Sequence, residues 1–126
     1  MSNRIAVNPA ATPPPAGPYS KGILVNGFLY TAGLGPQDPE GNVIGETIEE
    51  QTRQVMRNVL AVLAEAGMDA SHIVKSTVHL QHLDRDFAGF NAAYREFLAE
   101  PYPVRTTVGS QLANILVEID VVATKG

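Results

Sequence analysis

A chain of 126 residues with 44% hydrophobic side chains is the size of one domain and has room for one core. Its thirteen Asp and Glu outnumber nine Lys and Arg, giving a net charge of -4. The basic residues are spread nearly evenly, so a nucleic-acid backbone finds no cationic patch, and the absence of cysteine excludes disulfides, thiolate nucleophiles and zinc–thiolate sites.

The stretch Met1–Val7 is too short and too polar for a secretory signal. No apolar run approaches the roughly 20 residues that a membrane-crossing helix needs, so a soluble cytoplasmic protein without membrane or nucleic-acid partners is expected. Residues 8–18 contain five prolines and read as an ordered arm or loop. Ile23–Val25 and Phe28–Thr31 are short apolar runs around Asn26-Gly27, a dipeptide suited to a type I′ turn, which predicts a hairpin. Residues 33–45 are rich in glycine and proline and read as a loop; they match neither a phosphate loop nor GxGxxG spacing.

Thr47 and Glu50 have the spacing of a capping box. Val55, Met56, Val59, Val62 and Leu63 then continue an apolar helical stripe that Gly67 can end. From Ile73 to Leu83 the pattern alternates, with Val74, Val78 and Leu80 on one face and Lys75, Thr77, His79 and Gln81 on the other. Asp84 is placed to cap a second helix whose Phe87, Phe90, Tyr94 and Phe97 form a core stripe, and Pro101 and Pro103 end it. Strands at Val104–Gly109 and Ile115–Ala123 close the chain as a predicted hairpin. The expected fold is α+β: a mixed, mostly antiparallel sheet with two helices on one face, in a single domain over residues 1–126.

In the last strand Ile115, Val117, Ile119 and Val121 should face the helices, leaving Glu118 and Asp120 on the second face. With Ser110 to Ala113 as the hairpin connection, Arg105 falls across from Glu118 on that second face. Exposed, such a pair is worth roughly 0 to 1 kcal/mol. Sheltered by neighbouring copies, it becomes a cleft in which a guanidinium fork holds a small carboxylate-bearing molecule by two parallel hydrogen bonds. His72, His79 and His82 lack the arrangement of a metal site, since His79 and His82 point to opposite faces of a strand and no third ligand is near.

Several motifs, taken in order, resemble the YjgF-type reactive-intermediate (enamine/imine) deaminase family. They are Gly17-Pro18-Tyr19-Ser20, the Gly33 segment after Tyr30-Thr31, and Glu50-Gln51-Thr52 through Asn58. Ala66-Gly67, Asp86-Phe87 with Asn91 and Tyr94, Pro103-Val104-Arg105-Thr106 and Val117-Glu118-Ile119 continue the match, which runs from about Pro13 to Ala123. The resemblance implies a chorismate-mutase-like fold, a homotrimer with clefts between subunits, and hydrolysis of 2-imino or enamine acids to 2-oxo acids and ammonia. It implies no cofactor and no metal. By the same resemblance Arg105 binds the carboxylate, Glu118 positions or activates water, Tyr19 lines the cleft, Gly33 offers backbone hydrogen bonds and Asn91 supports the site. Thr107, a candidate substrate-binding residue able to order water, stands with Ala32 and Leu34 where the family commonly has cysteine, serine and glutamine, which leaves the natural substrate open. An aminomuconate-like enamine is an alternative substrate, and a non-catalytic binding protein for 2-oxo acids is an alternative role.

Overall fold

The computed structural model describes residues 3–126; Met1 and Ser2, the start of the stretch read against a secretory signal, lie outside it. In chain order the elements are β1 (Ile5–Val7), β2 (Gly22–Val25), β3 (Phe28–Thr31), α1 (Ile48–Glu65), a 3-10 turn (Ala70–His72), β4 (Ile73–Leu80), α2 (Leu83–Arg95), β5 (Val104–Gly109) and β6 (Val117–Thr124). Six strands make one sheet in the order β1-β2-β3-β6-β4-β5, parallel only where β4 meets β5. The α+β expectation, with two helices on one face of a mixed sheet, describes this architecture.

Local signals acted as local chemistry predicts. Asn26 and Gly27 take φ of 52° and 79°, the positive pair that lets a two-residue turn follow the strand twist, and Val25 pairs with Phe28 across it. At the start of α1, Thr47 Oγ1 accepts a hydrogen bond from the Glu50 amide, and the Glu50 carboxylate accepts one from the Thr47 amide, both at 3.1 Å. The α1 stripe of Val55, Met56, Val59, Val62 and Leu63 is buried against Leu29, Val78, Val117, Ile119 and Val121 of the sheet. Gly67 ends the helical segment at φ 75°, where a side chain would be strained.

Four expectations are corrected. The predicted hairpin of the last two strands does not exist: β5 pairs in parallel with β4 at the sheet edge, while β6 lies between β3 and β4. The unit β4–α2–β5 is a crossover, and a strand returning after a helix lies parallel to the first. Val117, Ile119, Val121 and Ala123 are all buried and suit a central strand. Val74 is 43% exposed instead of joining Val78, because a bulge shifts the register between Ile73 and Lys75; Ser76 takes the inward place. Asp84 lies within the first turn of α2, and the cap position belongs to His82 without a side-chain bond. Phe90 and Tyr94 are core, but Phe87 is 42% exposed. Strand β1, unassigned from sequence, extends the sheet beside β2. Among the described residues no helix is long and apolar enough to cross a membrane.

Candidate functional site

Tyr19, Gly33 and Glu118 line one cleft of about 360 Å³, walled by Pro13, Pro14, Pro15 and Ala16, with Lys21, Leu34 and Ile115 also among its lining residues. Leu34 ties the glycine loop to β6: its amide donates to the Ile119 carbonyl at 2.8 Å and its carbonyl accepts from the Ile119 amide at 3.1 Å. That bridge sets Gly33 directly against Glu118. A β-carbon on Gly33 would lie 2.5 Å from Glu118 Oε2, so the carboxylate occupies the space that a side chain would need. Tyr19 is half exposed, and its hydroxyl accepts a hydrogen bond from the Ala16 amide at 3.1 Å.

Arg105 is elsewhere. It lines a second cleft of about 290 Å³ with Asn91, Tyr94, Arg95, Tyr102 and Pro103. Register explains the separation: Arg105 pairs with inward-facing Ser76 of β4 and so turns toward α2, whereas Glu118 pairs with His79 and turns outward. The expected Arg105–Glu118 pair within one chain is therefore corrected; the two residues stand on opposite faces of the sheet with β4 between their strands.

The guanidinium carbon of Arg105 lies 5.1, 5.2 and 5.8 Å from the ring centroids of Tyr94, Phe90 and Phe87. Such stacking satisfies the flat cation by π faces and leaves its N–H donors unspent. Among the described residues no carboxylate lies within ion-pair distance of Arg105. The Tyr94 hydroxyl sits 2.6 Å from Ser76 Oγ, and burial pushes its pKa up, so the ring beneath the cation stays neutral. Asn91 Oδ1 is buried without a hydrogen-bond partner among the described residues. Thr107 follows on the same face of β5 but does not line this cleft.

Over residues 9–125 the chain matches the family model described as Endoribonuclease L-PSP. It belongs to that family, the YjgF/RidA family. A RutC family protein of Pyrococcus abyssi is 42% identical over 116 residues, 90% of this chain and 91% of the relative. Reactive Intermediate Deaminase A, chloroplastic, of Arabidopsis thaliana is 35% identical over 121 residues, 94% of this chain and 64% of its own length. The crystal structure of Escherichia coli TdcF with bound serine superposes at a TM-score of 0.89 with 28% identity, covering 97% of this chain and 99% of that one.

This is the family that the sequence motifs resemble, and its fold is the one observed. Within the RidA-type chain the three histidines fall in separate settings. His72 Nδ1 accepts from the Asp69 amide at 2.9 Å, His79 Nδ1 lies 2.6 Å from Ser110 Oγ, and His82 precedes α2 outside any strand. Two features escaped the sequence. Phe87 serves as a stacking surface for Arg105, which its helical stripe disguised as core. The proline arm forms a cleft wall, which its composition alone could not place.

Proposed function

We propose that this protein hydrolyses reactive 2-imino acids and their enamine tautomers to 2-oxo acids and ammonia. The cleft is completed between subunits of a homotrimer, with the Tyr19–Gly33–Glu118 half of one chain facing the Arg105–Asn91 half of the next. One observation carries this reading: a guanidinium fixed on three aromatic rings, open to a cleft, with no carboxylate among the described residues to neutralise it. A ligand carboxylate is the natural complement, held by two parallel hydrogen bonds. The Arabidopsis relative is named a reactive intermediate deaminase, and the TdcF structure holds serine, itself a carboxylate.

Assembly reconciles the two half-sites. Phe28, Tyr30, Val104 and Val108 are exposed on the outward side of the sheet, an apolar face suited to neighbouring copies. In the proposed reaction, Arg105 fixes the carboxylate and Glu118 accepts a proton as water adds to C2 of the protonated imine. The resulting carbinolamine regains that proton on nitrogen, ammonia leaves, and the C2 hydroxyl loses a proton to give the 2-oxo acid. No side-chain nucleophile is needed, because a protonated imine is already electrophilic; positioning supplies the rate. The ribonuclease activity in the family model's name fits poorly with a net charge of -4 and scattered basic residues.

A second reading, carboxylate binding without turnover, is favoured by Ala32, Leu34 and Thr107, which leave this chain without two polar handles and a thiol where the resembled family commonly has serine, glutamine and cysteine. The test couples an amino-acid oxidase, which generates the imine, to semicarbazide trapping. Faster imine loss is expected with the wild type, abolished in Arg105→Ala and reduced at least about 100-fold in kcat/KM in Glu118→Ala. Arg105-dependent binding of a 2-oxo acid without faster imine loss would establish the binding protein instead.

A further inference from the structure

We propose that Lys21 is a positioning residue for this site: its ammonium fastens the proline strap of residues 8–18 as the fixed wall of the Tyr19–Gly33–Glu118 cleft. The inference rests on the functional reading above and adds a residue outside the motifs that led to it.

The strap cannot anchor itself. Pro9, Pro13, Pro14, Pro15 and Pro18 have no N–H, so this segment offers mainly carbonyl acceptors and needs donors from elsewhere. Lys21, 5% exposed, supplies them: Nζ donates to the Pro9 carbonyl at 2.7 Å and to the Thr12 carbonyl at 2.9 Å. Its backbone amide donates to Asn8 Oδ1 at 2.9 Å. The same Pro9 carbonyl accepts from the Thr12 hydroxyl at 3.0 Å, closing the turn that Lys21 grips. At the far end the Ala16 amide donates to the Tyr19 hydroxyl at 3.1 Å. Between the two anchors lie Pro13, Pro14 and Pro15, the stiff part that faces the cleft.

A lysine suits this task because three donors on a flexible stem can reach two separate carbonyls at once. Among the described residues Lys21 has no carboxylate partner, so the carbonyls alone replace the water that its ammonium gives up. Burial correspondingly pushes its pKa down. Removing the ammonium frees the strap at its entry, and the wall then moves relative to Tyr19 and Glu118.

The experiment compares wild type with Lys21→Met on three readouts: hydrogen exchange of residues 8–18, binding of 2-oxobutanoate by calorimetry, and imine hydrolysis. Expected are faster exchange at Thr12, whose buried amide donates to the Pro9 carbonyl at 3.3 Å, with Kd for 2-oxobutanoate and KM for the imine each raised about tenfold and kcat held within about twofold. A residue that merely stabilised the fold would lower the melting temperature without this KM-against-kcat split. Unchanged exchange in the strap overturns the proposal, and so does a loosened strap with unchanged Kd and KM. Should Lys21→Met lose its fold, Lys21→Gln, which keeps two N–H donors on a shorter stem, carries the same comparison. A wild type that neither hydrolyses imine nor binds 2-oxobutanoate sinks the proposed function, and strap exchange then decides separately whether Lys21 is the clamp.

Discussion

At Gly33 a β-carbon would meet Oε2, Cδ and Cγ of Glu118 at 2.5, 2.7 and 3.0 Å, and no backbone atom ranks among these nearest contacts. The obstacle is thus the far end of a flexible side chain. Gly33→Ala should fold, with a melting temperature changed by only a few degrees, while the Glu118 carboxylate swings off its place. Imine hydrolysis is expected to fall toward the level of Glu118→Ala, with carboxylate binding through Arg105 retained. Full activity in a folded Gly33→Ala protein would separate Glu118 from the chemistry. Residue identity was legible at this scale before residue placement. Arg105 and Glu118 stand out as a cation and an acid in the last two strands of the chain, but which sheet face each takes depends on strand neighbours. Alternation gives parity within one strand and nothing about the strand beside it.

Between elements the same division holds. The β2–β3 turn and the start of α1 are written in adjacent residues, Asn26-Gly27 and Thr47 with Glu50, so they read directly from the chain. The seating of β5 beside β4 is a non-local choice made by the α2 crossover, and no residue of the 110–116 connection announces it. The α1 cap offers a quantitative check. Thr47→Ala removes the acceptor for the Glu50 amide and should destabilise the protein by about 1 kcal/mol in urea unfolding. Hydrogen bonds from the Glu46 and Thr47 amides hold the Glu50 carboxyl below its ordinary pKa. A folded-state pKa below the unfolded one means the carboxylate's contribution is fully present above the ordinary carboxylate range. It is lost as pH falls through the depressed folded value. Glu50→Gln keeps a neutral acceptor, so its stability deficit should be largest near neutrality and shrink in acid; a constant deficit across that range would remove the charge from the cap.

For the whole molecule, the proposed function turns on Arg105 and Glu118 lying on opposite faces of one sheet. A single chain cannot bring Arg105 to Glu118 without unpairing β4 from β5 or β6, which flank it on either side from Lys75 to Leu80. A cleft between copies requires no such change, and the exposed Phe28, Tyr30, Val104 and Val108 give copies a reason to meet. The division of labour can be tested by mixing. In the proposed homotrimer, Arg105→Ala and Glu118→Ala assemblies each lack one half of every site. Co-assembled from equal amounts of separately unfolded chains, they regenerate intact sites wherever a chain that keeps Glu118 faces a neighbour that keeps Arg105. Random assembly makes roughly one site in four intact, so activity should recover to about a quarter of the wild-type value per subunit. Were both residues to act from one chain, every site in the mixture would still lack one of them and activity would stay at the level of the parents.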